Sequence, residues 1–233
     1  MFDQRSNGFE YIDQGQAPDE LIRKSHWFMQ WMNIFFGGRA IVKKFIETEY
    51  RRLPKRQPLT ILDIGSGSCD IPLSLLDWAA RKGLDLRFTC VERSSEALAM
   101  ARQQISASDI KGIELIETDI WDYQPAAQFD CAVGSLFFHH FTDEQILELI
   151  NRLRPFVRRS ILINDLQRSP LPYLGCAIFR PILPWQAWHD AMLSIKRGFK
   201  PDELQRLLEK IDNAHIKTNR RWFARVSAEI RFD

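Results

Sequence analysis

Three acids, Asp63, Glu92 and Asp119, each follow or end a short apolar run. After Asp63 come glycines at 65 and 67, then a stretch with helical spacing, Ile71-Pro72-Leu73-Ser74-Leu75-Leu76-Asp77-Trp78-Ala79-Ala80. That order predicts a buried strand, a tight glycine turn and a helix. In an open α/β sheet, small ligands bind at such a junction. The glycines allow the backbone to approach a ligand closely. The acid selects which ligand. A carboxylate at Asp63 would oppose a pyrophosphate and favour a cationic group, such as the amino group of a methionine-type tail. Glu92, at the end of the run Leu86–Val91, offers paired acceptors for the two hydroxyls of a ribose. Asp119 can accept from an adenine amino group, with Ile120 or Trp121 beside the ring.

A second group of residues suits chemistry on an acceptor. His139 and His140 follow the apolar run Phe129–Ser135, and Asp165 ends Ser160-Ile161-Leu162-Ile163-Asn164. Histidine titrates near neutral pH, which fits a general base. Asp165 is a second candidate for that role, and His189 beside Asp190 is a candidate pocket wall. No Cys-x-x-Cys or Cys/His cluster suggests a metal, so none is expected.

These residues need a frame. Runs at 59–64, 86–91, 113–118, 129–135 and 160–165 alternate with helical patterns, which predicts a mostly parallel sheet. Thr142-Asp143-Glu144-Gln145 fits a capping box, and Pro155 ends the helix that follows. Pro201-Asp202-Glu203 starts another helix. Two strand-like stretches close the chain between His215 and Phe232.

Upstream lies a polar arm, residues 1–18, then an aromatic-rich helical stretch before Gly37-Gly38 and a helix from Arg39 to Arg52. The predicted organisation is an N-terminal arm and helical cap over 1–57 and a main domain over 58–233. An irregular, proline-punctuated insertion at about 166–199 lies near the substrate site. Trp27, Trp31 and Phe35 of the cap and Phe138 are candidate substrate walls.

With 233 residues and 45% hydrophobic content, an ordinary globular core is available. A net charge of +2 favours neither nucleic acid nor a membrane surface. Basic pairs such as Arg158-Arg159 are diluted by acids and fit a solvated surface. No apolar run approaches the ~20 residues of a membrane span, and the N-terminus has no secretory h-region. Four scattered cysteines fit a reducing cytoplasm. A nicotinamide dehydrogenase is disfavoured by Asp63 and Asp70.

Taken together, Asp63-x-Gly65-x-Gly67, Glu92, Asp119 and the segment Gly134 to Phe141 resemble, in order, the motifs of class I S-adenosylmethionine-dependent methyltransferases. Ser194 to Leu204, Asn164-Asp165-Leu166 and Asn33 to Arg39 are similar to segments of bacterial methyltransferases acting on quinone- or polyketide-type molecules. The resemblance implies a Rossmann-like α/β fold with a seven-stranded, mostly parallel sheet and helices on both faces. It implies a donor site at Asp63, Gly65, Ser66, Gly67, Asp70, Glu92, Arg93, Asp119, Ile120 and Gly134, and S-adenosylmethionine as cofactor. It implies a small-molecule acceptor, methylated at oxygen or carbon. An RNA methyltransferase and a non-catalytic cofactor-binding module are the alternatives. There is one departure in the turn: Cys69 stands where a third glycine is usual, and the helix is expected to have begun by then.

Overall fold

The structure, a computed structural model, describes residues 2–8, 10–11, 37–54, 57–178, 180–181, 183–221 and 224–232. The candidate walls Trp27, Trp31 and Phe35 lie outside the described residues.

In chain order the elements are α1 (Gly38–Arg51), β1 (Leu59–Ile64), α2 (Asp70–Lys82), β2 (Leu86–Glu92), α3 (Ser95–Ser106), β3 (Ile113–Glu117), β4 (Phe129–Ser135), α4 (Asp143–Leu153), β5 (Val157–Leu166), α5 (Pro170–Ala177), α6 (Trp185–Arg197), α7 (Pro201–Leu208), β6 (Ala214–Arg221) and β7 (Arg225–Phe232). One sheet contains all seven strands in the order β3-β2-β1-β4-β5-β7-β6. The first five are parallel, whereas β7 runs antiparallel to both β5 and β6. The order reverses between β1 and β4, so a crevice opens there at the carboxyl ends of the strands.

The central strands are apolar on both sides because both faces are covered. Leu62, Ile64, Ala132, Ile161 and Ile163 join α4 and α7 in one core. Ile61, Cys131, Val133 and Leu162, at the alternate positions, join α1 and α2 in the other. The expected α/β fold is thus observed.

Two details of the expectation change. Cys69 precedes the helix, at its N-cap, with φ 57° and ψ 27°. The side chain therefore occupies a left-handed position that glycine takes at lower cost, and the helix begins one residue later than predicted. The insertion at 166–199 is not irregular either: it forms α5 and α6. Pro170 sits in the first turn of α5, where its missing N–H costs nothing.

Between β4 and α4 the chain makes a short 3₁₀ turn, Phe138–His140, before Thr142 caps α4. The box is complete. Thr142 Oγ1 accepts from the Gln145 N–H at 3.3 Å, and Gln145 Oε1 accepts from the Thr142 N–H at 3.0 Å. This fixes where the turn ends. T142A should lower stability by about 1 kcal/mol. For a chain of this size that is a fall of ~2–4 °C in melting temperature, readable by calorimetry.

Candidate functional site

Asp63 lies near the end of β1, between Cys90 of β2 and Val133 of β4, and is buried. Burial, with Cys69, Asp70 and Glu92 adding negative charge nearby, pushes its carboxyl well above the usual range. The turn that follows is anchored to β2: Gly65 and Ser66 donate to the Val91 carbonyl at 2.9 and 3.2 Å. Gly65 (φ 63°) and Gly67 (φ 54°) are both left-handed. A Cβ on Gly65 would come within 2.2 Å of the Phe137 ring, so sterics as well as φ require glycine.

Glu92 is held at the same mouth by two backbone amides. Gly67 N–H donates to Oε2 at 2.8 Å and Ser94 N–H to Oε1 at 2.9 Å. Its two oxygens are thereby oriented as a pair, each with a lone pair remaining. Asp70, the first residue of α2, takes the Arg39 guanidinium at 3.2 Å. Asp119 is partly buried after β3 and accepts the Trp121 N–H at 3.0 Å, with Ile120 buried beside it. Ser66 belongs to the turn, and Arg93 is exposed just past β2. Gly134 serves packing: a Cβ there would reach the Phe138 ring at 2.5 Å.

Phe138, expected as a substrate wall, is completely buried in the core. Its neighbour Phe137, which the sequence did not single out, covers Gly65 and is half-buried. Phe137 stacks edge-on with Phe141 at 4.9 Å, and Phe141 with Trp121 at 5.9 Å. A row of rings therefore joins the end of β4 to the exit of β3. The intervening Leu136 is left-handed (φ 56°), a strained conformation for a residue with a Cβ. Its N–H is anchored on the Asn164 carbonyl at 2.9 Å.

His139 and Asp165 meet as a pair. Nδ1 is 2.7 Å from Oδ1, and the His139 backbone N–H donates to Oδ2 at 3.1 Å. The short contact favours the tautomer with its proton on Nδ1, leaving the Nε2 lone pair as acceptor. Burial pushes the Asp165 carboxyl up, but His139, the Leu166 N–H and the Arg225 charge outweigh it, and the net shift is downward. His140 stacks on His139, ring centroids 4.2 Å apart, and is half-buried. His189, by contrast, sits on α6 beside Asp190, with Tyr11 and Trp185 against its ring.

What covers this pair comes from distant parts of the chain. His139 is only 3% exposed. Its Nε2 edge faces Glu10 of the N-terminal arm, at 3.8 Å. Arg5 and Arg197 grip the turn from outside. Arg197 donates to the carbonyls of His139 (3.1 Å) and His140 (2.6 Å), and Arg5 to that of Phe141 (2.7 Å). Among the described residues, Glu10, His139 and His140 bring three possible metal-donor atoms within 4.8 Å of one another. Arg197 Nη1 already places positive charge 3.9 Å from Glu10.

A cleft of about 840 Å³, lined by Leu84, Asp85, Arg87, Asp109 and Lys111 among others, opens at the amino ends of β2 and β3. It lies at the end of the sheet opposite these residues. Among the described residues no helix is long and apolar enough to cross a membrane.

Comparison with known proteins bears on the fold. Residues 61–160 match the family model described as a methyltransferase domain. No curated protein matches the chain. The plantazolicin methyltransferase BpumL, solved with SAH, superposes with a TM-score of 0.68 at 18% identity, over 94% of this chain and 92% of that one. The CMeT domain of the citrinin polyketide synthase gives 0.61 at 14%, over 82% of this chain and 51% of that one. Magnesium protoporphyrin IX methyltransferase from Synechocystis PCC 6803, with bound SAH, gives 0.59 at 14%, over 98% and 90%. At these identities the likeness is one of fold.

The buried carboxylate of Asp63 sets a measurable balance. Its folded-state pKa lies above that of the unfolded chain, so its contribution to stability is full below the unfolded value and is lost as pH rises through the folded one. D63N removes that loss. The variant should melt above the wild type at pH 8, with the difference shrinking towards pH 4, in a series of thermal melts.

Proposed function

We propose that this chain, whose residues 61–160 form a methyltransferase domain, transfers a methyl group from S-adenosylmethionine to a small aromatic or lipophilic acceptor. A phenol, quinol or polyketide-like molecule, methylated at oxygen or carbon, fits best. The observation that carries the acceptor reading is the His139–Asp165 pair, buried at the ends of β4 and β5 next to the donor turn.

The residues fit the donor. The Asp63 carboxylate, unfavourably charged where it stands, is relieved by an ammonium group. The oriented oxygens of Glu92 suit the two ribose hydroxyls. Gly65, Ser66 and Gly67 give close backbone approach, Asp70 and Arg93 flank the turn, and Asp119 and Ile120 face the adenine. When bound, the donor supplies a methyl group already activated by its sulfonium. The chain's main task is alignment, which is worth roughly 7–11 kcal/mol for well-oriented reactants.

His139 acts as base and Asp165 orients it. The acceptor hydroxyl would give its proton to Nε2, leaving its oxygen pair ready for the methyl group that the donor would supply when bound. His140 lines the same wall. The four cysteines, all free and buried, accord with a cytoplasmic setting. A net charge of +2 accords with a partner other than nucleic acid.

Two measurements test this. In titration calorimetry with S-adenosylhomocysteine, D63A and E92A should each lose binding by about 100-fold or more, as expected when a charged hydrogen bond and its partner are removed. Near-normal affinity in both would overturn the donor site. Wild-type enzyme, S-adenosylmethionine and a panel of phenols and hydroquinones should yield methylated product. The H139N/H140N double variant should slow that turnover by about 10²-fold, with homocysteine-ligand affinity kept within about twofold. Wild-type turnover would remove both histidines from the mechanism.

A further inference from the structure

We propose that Glu10 is a positioning residue of the acceptor site, holding the His139 imidazole from the side opposite Asp165, and that residues 2–8 and 10–11 are a working wall of that site. The inference rests on the reading of His139 as the acceptor's base. It adds a group more than a hundred residues away in sequence, on a segment outside the methyltransferase domain match.

The imidazole has a carboxylate at each edge. Asp165 is 2.7 Å from Nδ1, and Glu10 is 3.8 Å from Nε2. All three side chains are buried: Asp165 0%, His139 3% and Glu10 4% exposed. At 3.8 Å Glu10 makes no hydrogen bond to the ring. A hydroxyl bound at Nε2 donates its single proton to that lone pair, and the Glu10 carboxylate, an acceptor only, acts on the ring through its charge. After the hydroxyl's proton passes to Nε2, the imidazolium has a carboxylate facing each N–H, which favours the charged form over a single partner.

Glu10 is itself fixed. Ser194 Oγ donates to its Oε1 at 2.7 Å, and Arg197 Nη1 stands 3.9 Å away. The arm that carries it is seated along α6 by several independent contacts. The Ser6 N–H donates to the Lys196 carbonyl at 3.1 Å, Arg5 Nε to the Arg197 carbonyl at 2.9 Å, and the Tyr11 N–H to Asp190 at 2.9 Å. Gly8 lies so close to Leu193 that a Cβ would approach it to 2.8 Å. These contacts hold the buried Glu10 carboxylate in place facing the Nε2 edge of His139.

E10Q is the discriminating variant, since glutamine keeps the volume and an acceptor for Ser194 while removing the charge. With the phenol turned over fastest by the wild type, kcat should fall about 10-fold, part of the ~10²–10⁴ a general base contributes. The KM for that phenol, the affinity for S-adenosylhomocysteine and the melting temperature should stay near wild type. S194A, which releases Glu10 without altering its charge, should lower kcat in the same direction by less. In protein labelled with ¹⁵N-histidine, the Nε2 resonance of His139, identified by its loss in H139N, should move in E10Q.

Unchanged kcat together with an unmoved resonance would overturn the proposal. So would loss of wild-type activity in EDTA that zinc restores and that E10Q does not show, because Glu10 would then be a metal ligand. If no phenol or hydroquinone is methylated, the acceptor reading fails on its own. The resonance still decides whether Glu10 acts on His139.

Discussion

A carboxylate buried at the carboxyl end of β1 is the constraint around which the glycine turn is arranged. Asp63 has further negative charge from Asp70 and Glu92 nearby. Such a cluster is tolerated in a folded protein when function requires it. The neighbouring features follow. The turn alternates left-handed residues at 65, 67 and 69. Glu92 is tied to the Gly67 amide, which links the end of β2 to the turn. Phe137 closes against Gly65 and links β4 to the same turn.

The turn that carries His139 and His140 is organised by its backbone carbonyls. The turn after β4 directs the carbonyls of His139, His140 and Phe141 towards two arginines from distant parts of the chain. Those cations are offset by Asp143 on Arg5 and by Glu10 near Arg197. Charge-assisted bonds of this kind are stronger than neutral ones. They hold a turn that already carries strain at Leu136. The histidines are therefore fixed by what grips their main chain as much as by what touches their rings.

What could be read from sequence follows a physical divide. The central strands β1, β4 and β5 were visible because they are buried on both faces and so appear as nearly continuous apolar runs. The three acids were visible because each stands at the end of such a run. The capping box at Thr142 was visible because its partners are three residues apart. The rest depends on three-dimensional neighbours. Phe137 and Phe138 are chemically identical, and only the path of the turn decides which is core and which covers the glycine. The pairing of His139 with Asp165 spans 26 residues, and that of Ser194 with Glu10 spans 184. No local period encodes either. The prolines at 170 and 172 suggested irregular chain, yet proline in a first turn is compatible with a helix. Cys69 took a conformation its side chain disfavours because the turn needs a left-handed residue before α2.

The seating of the arm on α6 has a consequence for how the molecule comes into being. Residues 2–11 leave the ribosome early, but their partners at Asp190, Ser194 and Arg197 appear some 180 residues later. Arg5 and Arg197 are 192 positions apart. Contacts that close so long a loop form late, because their entropy cost must be met before they stabilise anything. β1, the glycine turn, α2 and β2 are contiguous, so their contacts close far shorter loops. A growing chain therefore carries the glycine turn and its two strands long before the segment that seats Arg5 and Glu10 has been made.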